Sequence, residues 1–166
     1  MPITRRRALV AAASALALPS LAALPKPTGR VILTVKGQLG AGHGPTADFD
    51  DAMLAAMAQR TLKTQTPWHE GVKAFTGPLL RDVLGAVGAQ GKTIRAIALN
   101  DYKVDIPFDD ARAIDVVMAR LLDGKPMPVR DKGPLFIIYP FDDKPELRTP
   151  QYFSRCAWQL RTIEIL

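Results

Sequence analysis

Short runs of β-branched and apolar residues, separated by turn-forming residues, are the feature that most constrains the fold of this chain. The clearest runs are 30–37 (RVILTVKG), 92–99 (KTIRAIAL), 102–107 (YKVDIP), 134–140 (PLFIIYP) and 156–166 (CAWQLRTIEIL). Gly, Pro, Asn or Asp bounds most of them, which is the pattern of strands. Segment 113–127 predicts a further strand that turns at Asp123 and Gly124.

Two segments have the apolar spacing of a helix. In segment 47–59, Asp48 could cap a helix whose apolar residues share one face. Segment 77–91 predicts a second helix, with Pro78 at its first position and Gly88 just past its end.

Residues 61–74 between these segments have no clear period and contain Pro67 and Gly71. They predict a long loop, and loops of this length are usually functional or disordered. Trp68 in the middle argues against disorder. The whole pattern predicts an α+β domain that is mainly β, with few helices.

The N-terminus resembles a secretory signal peptide. Three arginines precede an apolar stretch at 8–18, and Ser20-Leu21-Ala22 fits a cleavage site. The stretch is too short to span a bilayer. The arginines also resemble a twin-arginine export signal, and an ordinary signal that happens to be arginine-rich is the alternative. We therefore expect a signal peptide at 1–22, a single domain at 23–166 and a periplasmic location.

Export changes how the charge is interpreted. Removing the three arginines leaves 19 basic against 16 acidic residues, so the net charge becomes +3 in place of +6. No block of like charge remains, and a nucleic-acid partner loses its main support. The single cysteine excludes an internal disulfide.

Five motifs occur in a familiar order: FTGPLLRDVL, LNDYKVDIP, VVMARLLDGKPMP, KGPLFIIYP and WQLRTIEI. From about Val31 to the C-terminus, the chain resembles the sulfite-oxidase-type molybdopterin-binding domain. No single motif is specific, and the resemblance depends on the order of all five. It implies the sulfite-oxidase-like molybdopterin-binding fold.

The resemblance breaks at the residues that hold the metal and its cofactor. Family enzymes ligate molybdenum through a cysteine upstream of the FTGPLLRDVL helix, where this chain has Thr-Gln-Thr at 64–66. Molybdenum needs a soft thiolate, and a threonine hydroxyl is a poor substitute. The family His and Arg that contact the cofactor phosphate fall on Asp131 and Phe136. The C-terminal contact survives in part, as Ser154 and Arg155.

The resemblance includes short exported relatives that lack the cysteine, and these imply a function other than molybdenum catalysis. Some of these relatives resemble periplasmic sensors that bind a free, unmetallated pterin, such as tetrahydromonapterin. They act on the periplasmic domain of an inner-membrane diguanylate cyclase or phosphodiesterase, which implies cyclic-di-GMP signalling and biofilm regulation. The missing thiol favours such a binding protein over an enzyme. The alternatives are a molybdopterin-dependent oxidoreductase, with the metal held without a thiolate or by Cys156, and an interaction module without a ligand.

A pterin presents adjacent N–H donors at one edge, and a carboxylate could accept both in a fork. Asp131 lies in the segment that frames the cofactor in the family, and its plainer interpretation is a solvated turn acid beside Lys132. Asp101, next to Tyr102, is a second candidate acceptor, although its plainer role is to favour a tight turn. The loss of the family Arg fits a ligand without a phosphate.

Other candidates would contact the ring or the side chain of the ligand. Trp68 could stack on the ring or hold its loop to the core, and Trp158 could belong to the core. His69 could hydrogen-bond a ring atom or lie on the surface. Ser154 and Arg155 could bind the ligand, and Arg155 could instead pair with an acid. The full set of ligand-binding candidates is Trp68, His69, Asp101, Tyr102, Asp131, Lys132, Ser154, Arg155 and Trp158.

Cys156 has two interpretations. Period two places it in the last strand on the same face as Trp158, which favours a small buried hydrophobe. The alternative is a thiol that lines the pocket or ligates a metal. The chain has two histidines, His43 and His69, and no carboxylate at metal-ligand spacing from them, which gives little support for a metal site. The sequence predicts no catalytic and no metal residues.

Overall fold

The computed structural model describes residues 24–166. The predicted signal peptide at 1–22 therefore lies outside the described residues. Eleven strands occur in the described part: β1 (Val31–Gly37), β2 (Thr46–Asp50), β3 (Gln59–Gln65), β4 (Val72–Pro78), β5 (Thr93–Ala98), β6 (Lys103–Pro107), β7 (Val117–Ala119), β8 (Leu121–Leu122), β9 (Lys125–Pro126), β10 (Phe136–Ile138) and β11 (Leu160–Ile165). The same part has four α-helices: α1 (Asp51–Ala56), α2 (Leu80–Ala86), α3 (Phe108–Ala113) and α4 (Pro150–Arg155).

The strands form three sheets. The largest has five strands in the order β2-β1-β11-β5-β6, a second has four in the order β3-β4-β8-β9, and β10 pairs with β7. The pairing of β1 with β11 is parallel, and all others are antiparallel. The predicted α+β class, mainly β, is confirmed. None of the helices from Leu24 onward is long and apolar enough to cross a bilayer.

The last strand carries part of the core. Leu160, Ile163 and Ile165 are buried to within 1%. Strict period two would place Leu160 and Ile163 on opposite faces. A register shift against β5 between Leu160 and Thr162 adds the extra residue that brings both inside.

The prediction of a helix over 47–59 is only half right. Its first residues form β2 against β1, because buried Ala47 and Phe49 alternate with more exposed neighbours. The helix begins at Asp51, and its cap is Asp50 in place of Asp48: the Met53 N–H donates to Asp50 Oδ1 at 2.8 Å.

The prediction of a loop over 61–74 is wrong. β3 and β4 pair over seven residues each, from Gln59–Pro78 to Gln65–Val72. Only 66–71 form the connecting turn, and Trp68 lies in it. The strand pattern was obscured because β3 is polar on its exposed face and buries only Leu62 and Thr64.

Three other segments differ from prediction. The second helix is α2, and Pro78 ends β4 instead of starting the helix, while Gly88 follows it at φ +59° as expected. The short helices α3 and α4 were not predicted. Cys156 caps the end of α4, so it does not belong to the last strand. The β5–β6 hairpin and the turn at Asp123 are confirmed.

Candidate functional site

Predicted and newly found residues converge on a cleft of about 400 Å³, here called the aromatic cleft. Its walls include Trp68, Tyr102, Phe153, Ser154, Cys156 and Trp158. They come from the β3–β4 turn, the β5–β6 turn, α4 and the segment before β11. The volume lies within the usual range for small-molecule sites.

Two indole rings form part of the wall of this cleft. The Trp68 and Trp158 ring centroids lie 5.4 Å apart at 67°, and Phe153 lies 6.1 Å from Trp68 at 85°. Such edge-to-face contacts stabilise the rings against one another. Trp158 keeps 37% of its surface exposed, so it is a cleft wall and not a core residue. Trp68 is half-buried: it packs on the core, as one of its two interpretations predicted, and it also faces the cleft.

Few polar groups face the aromatic cleft. The Ser154 hydroxyl donates to the Gln151 carbonyl at 2.7 Å, which leaves its oxygen able to accept a hydrogen bond. Asn100 also lines the cleft, and its Oδ1 accepts from the Tyr102 N–H at 3.2 Å. Asp101 does not line the cleft; it holds the turn at φ +63°. Tyr102 lies at the rim, half exposed.

Cys156 contributes only a small part of the cleft floor, with 2% of its surface exposed. Its Sγ lies 3.5 Å from the Tyr152 carbonyl, to which it donates. Burial raises the pKa of the thiol to about 12. The group is therefore a neutral buried thiol at neutral pH. Cys156 is buried as expected of a small hydrophobe, it also lies at the cleft floor, and its place is a helix end and not a strand.

A second cleft of about 520 Å³, here called the basic cleft, shares Trp68 with the first. Its ionisable lining residues are His69, Lys73, Lys125, Arg130, Asp131 and Lys132. Lys132 Nζ lies 5.4 Å from the Trp158 ring centroid, within reach of a cation–π contact. Asp131 is on a 3-10 turn (Val129–Asp131), and its carboxylate lies 3.5 Å from Arg130 Nε. It therefore lines the basic cleft and not the aromatic one.

His69 is oriented by a neighbour on the same turn. Its Nδ1 lies 2.9 Å from Thr66 Oγ1, and its ring packs on Phe75 at 5.6 Å. Burial lowers the pKa of the imidazole, and Lys132 and Lys73 lower it further. A neutral ring at pH 7 follows, with Nε2 as the nitrogen left for a ligand.

Arg155 lines neither cleft. Its Nη1 donates to Asp110 Oδ2 at 2.8 Å, and its guanidinium stacks on Tyr152 at 4.9 Å. The Tyr139 hydroxyl donates to the same carboxylate oxygen at 2.7 Å. The alternative in which Arg155 pairs with an acid is the one observed.

Residues 64–66, which the sequence resemblance aligns with the molybdenum ligand of the sulfite-oxidase-type domain, do not fit molybdenum. Thr64 donates to Asp142 Oδ1 at 3.1 Å, and Thr66 is bonded to His69. No cluster of three His, Cys, Asp or Glu that could hold a metal occurs within residues 24–166. Cys156 lies elsewhere as a buried neutral thiol. The donors present are thus hard hydroxyl oxygens, which suit molybdenum poorly.

Together, the sheets and their order define the class of protein fold: an α+β, sulfite-oxidase-like fold. A solved structure with this fold is the sulfane dehydrogenase SoxCD from Paracoccus pantotrophus, at a TM-score of 0.59 and 16% identity. The match covers 80% of this chain and 37% of that one, so the chain spans well under half of the neighbour's length. No protein-family model matches the chain. No curated protein matches its sequence.

Sequence reasoning missed two residues of the aromatic cleft, Asn100 and Phe153. Asn100 directly precedes the candidates Asp101 and Tyr102, and an asparagine at such a place normally indicates only a turn. Phe153 lies on α4, and the signal for that helix was the Thr149-Pro150 pair: Pro150 occupies the first turn and Thr149 caps it.

Proposed function

We propose that the protein binds a free, unmetallated pterin in the aromatic cleft and acts as a binding protein and not as an enzyme. One observation carries this proposal: both tryptophans of the chain face one cleft of a molybdopterin-type fold that has no thiolate to hold a metal. A flat heterocycle suits walls made of Trp68 and Trp158.

The polar groups of the cleft suit a neutral ligand edge. Ser154 can accept a hydrogen bond, and Asn100 offers its side-chain amide nitrogen as a donor. Asp131 was expected to accept two hydrogen bonds from the pterin edge. Its carboxylate lines the basic cleft, so it would have to reach the ligand from the far side of Trp68. A tetrahydropterin such as tetrahydromonapterin is the ligand that we propose on the sequence resemblance.

The alternative function, a molybdopterin-dependent oxidoreductase, has one observation in its favour: the structural neighbour is named as a sulfane dehydrogenase. Against this alternative, residues 64–66 offer threonine hydroxyl oxygens and no thiolate as metal ligands. Metal analysis separates the two proposals directly.

Export and signalling extend the proposal. We propose that residues 1–22 are a signal peptide and that residues 23–166 act in the periplasm as one ligand-binding domain. The bound pterin would change how the protein acts on the periplasmic domain of an inner-membrane cyclic-di-GMP enzyme. These points rest on the sequence resemblance alone. Deleting the gene and restoring it with a Trp158→Ala variant should leave cyclic-di-GMP levels at the deletion value, with the unaltered gene as control.

The direct test is pterin and metal analysis of one native preparation. We expect bound pterin by mass spectrometry and by blue fluorescence after oxidation, with molybdenum far below one atom per chain. Binding of added tetrahydromonapterin is then titrated under reducing conditions for wild type, Trp158→Ala and Val31→Ala, the last being exposed on β1 and outside both clefts. About one molybdenum per chain, or no pterin and no binding, would refute the proposal.

A further inference from the structure

The two clefts are neighbours on either side of one side chain. Trp68 is a wall of both, and Lys132 of the basic cleft lies over the ring of Trp158 in the aromatic cleft. A ligand whose ring packs on the exposed surface of Trp158 would therefore have its substituent near Lys132. The charge of the basic cleft then decides which substituent is favoured.

The basic cleft has an excess of positive charge. Four cationic side chains line it against one carboxylate, Asp131. That carboxylate is already close to Arg130, and Lys73 pairs with Asp123 at 3.2 Å. Lys125 and Lys132 have no acidic partner at salt-bridge distance in the part of the chain from Leu24 onward. These two ammonium groups are the ones available to an incoming anion.

His69 adds a neutral donor to the same cleft. In the tautomer in which the Thr66 hydroxyl donates to Nδ1, across 2.9 Å, the hydrogen of the neutral ring is on Nε2. The ring stays neutral because it is partly buried beside Lys132 and Lys73. In that tautomer, His69 offers a hydrogen bond to an anionic oxygen without adding to the repulsion between the lysines.

We propose that the basic cleft is an anion subsite for the ligand of the aromatic cleft, so that the natural ligand is a flat heterocycle with an anionic tail, either a phosphate ester or a carboxylate. This inference rests on the proposed function. It departs from the neutral ligand predicted from the lost family Arg, because Lys125 and Lys132 supply positive charge from other positions of the chain.

The experiment compares three pterins with different tails: neopterin (neutral), neopterin 3′-phosphate and pteroylglutamate (carboxylate). Binding is followed by tryptophan fluorescence at low and high salt with the protein lacking residues 1–22, as export would leave it. We expect the better of the two anionic ligands to bind about tenfold more tightly than neopterin at low salt, and this advantage to shrink at high salt.

Charge variants connect the effect to the cleft. Lys125→Gln and Lys132→Gln should each reduce the advantage of the anionic ligand over neopterin by about threefold, and Lys103→Gln, an exposed lysine of β6 outside both clefts, should not. Equal affinity for all three ligands overturns the anion subsite but leaves the proposed function standing. Failure of every pterin to bind overturns both. The anionic ligand that binds more tightly shows whether the subsite prefers a phosphate ester or a carboxylate.

Discussion

The Arg155 guanidinium and the Asp110 carboxylate form an ion pair across 2.8 Å, and each side chain keeps only 12% of its surface exposed. The pair joins α4 to α3. Phe153 and Ser154 of α4 line the aromatic cleft, so the ion pair fixes one wall of the cleft from outside it. Arg155 thus acts on the candidate site through the position of its helix.

Replacing Asp110 should test this pair. Asp110→Ala leaves the Arg155 charge and the Tyr139 hydroxyl buried without their shared acceptor, so we expect a loss of about 3–5 kcal/mol in the free energy of unfolding. Asp110→Asn keeps an oxygen acceptor and should lose less. Urea unfolding measures both. Asp109→Ala is the matched control, since its side chain is exposed and a change within about 0.5 kcal/mol is expected. Equal values for the two alanine variants would contradict the role of the pair.

The two tryptophans make the aromatic cleft visible without a label. Because Trp68 and Trp158 are the only indoles in the chain, tryptophan emission reports on this cleft and, through Trp68, on the neighbouring basic cleft. We expect pterin to quench the emission of wild type and of each single Trp→Phe variant. Trp158→Ala should weaken binding by about tenfold, since a lost stacking wall is worth about 1.4 kcal/mol. Quenching that survives in Trp68→Phe and vanishes in Trp158→Phe would place the ring against Trp158 only.

The Cys156 thiol should be nearly inert in the folded protein. Since its pKa is about 12 against about 8.5 in an unfolded chain, the thiolate fraction at pH 8 falls by roughly a thousandfold. Iodoacetamide should modify the native protein very slowly and the urea-unfolded protein rapidly. The raised pKa also means that stability is retained below about pH 8.5 and declines as the pH rises towards 12. Rapid native modification would instead indicate an activated thiol.

Asp50 should make the fold sensitive to acid. The N–H groups of Gly29, Met53 and Thr28 donate to its buried carboxylate and hold its pKa below the usual value. A lowered folded pKa gives stability that is present above about pH 4 and is lost as the pH falls through the folded value. Asp50→Asn should therefore show a smaller fall of the urea midpoint between pH 6 and pH 3 than wild type. Asp143→Asn, an exposed acid without such bonds, should fall as wild type does.

Local patterns in the sequence were enough for the strands that bury one face. The 30–37, 92–99 and 102–107 runs all became strands, because alternation and turn residues act over a few positions. The β3–β4 hairpin was not predicted, because its polar exposed face carries little periodic signal and its pairing is made between strands. Likewise, α3 and α4 are only six residues long, too short for a helical period to be recognised.

The candidate site, like the fold, was predicted only in part from the sequence. Of the predicted ligand-binding residues, Trp68, Tyr102, Ser154 and Trp158 line one cleft. His69, Asp131 and Lys132 line the other, and Arg155 and Asp101 line neither. By itself, the sequence determined which residue types were present, that the metal position held no thiol, and where most strands lay. Only the tertiary structure decided which of these side chains share a cleft and that Cys156 ends a helix. Such neighbours are brought together by pairing and packing between distant segments, which leave no local periodic trace.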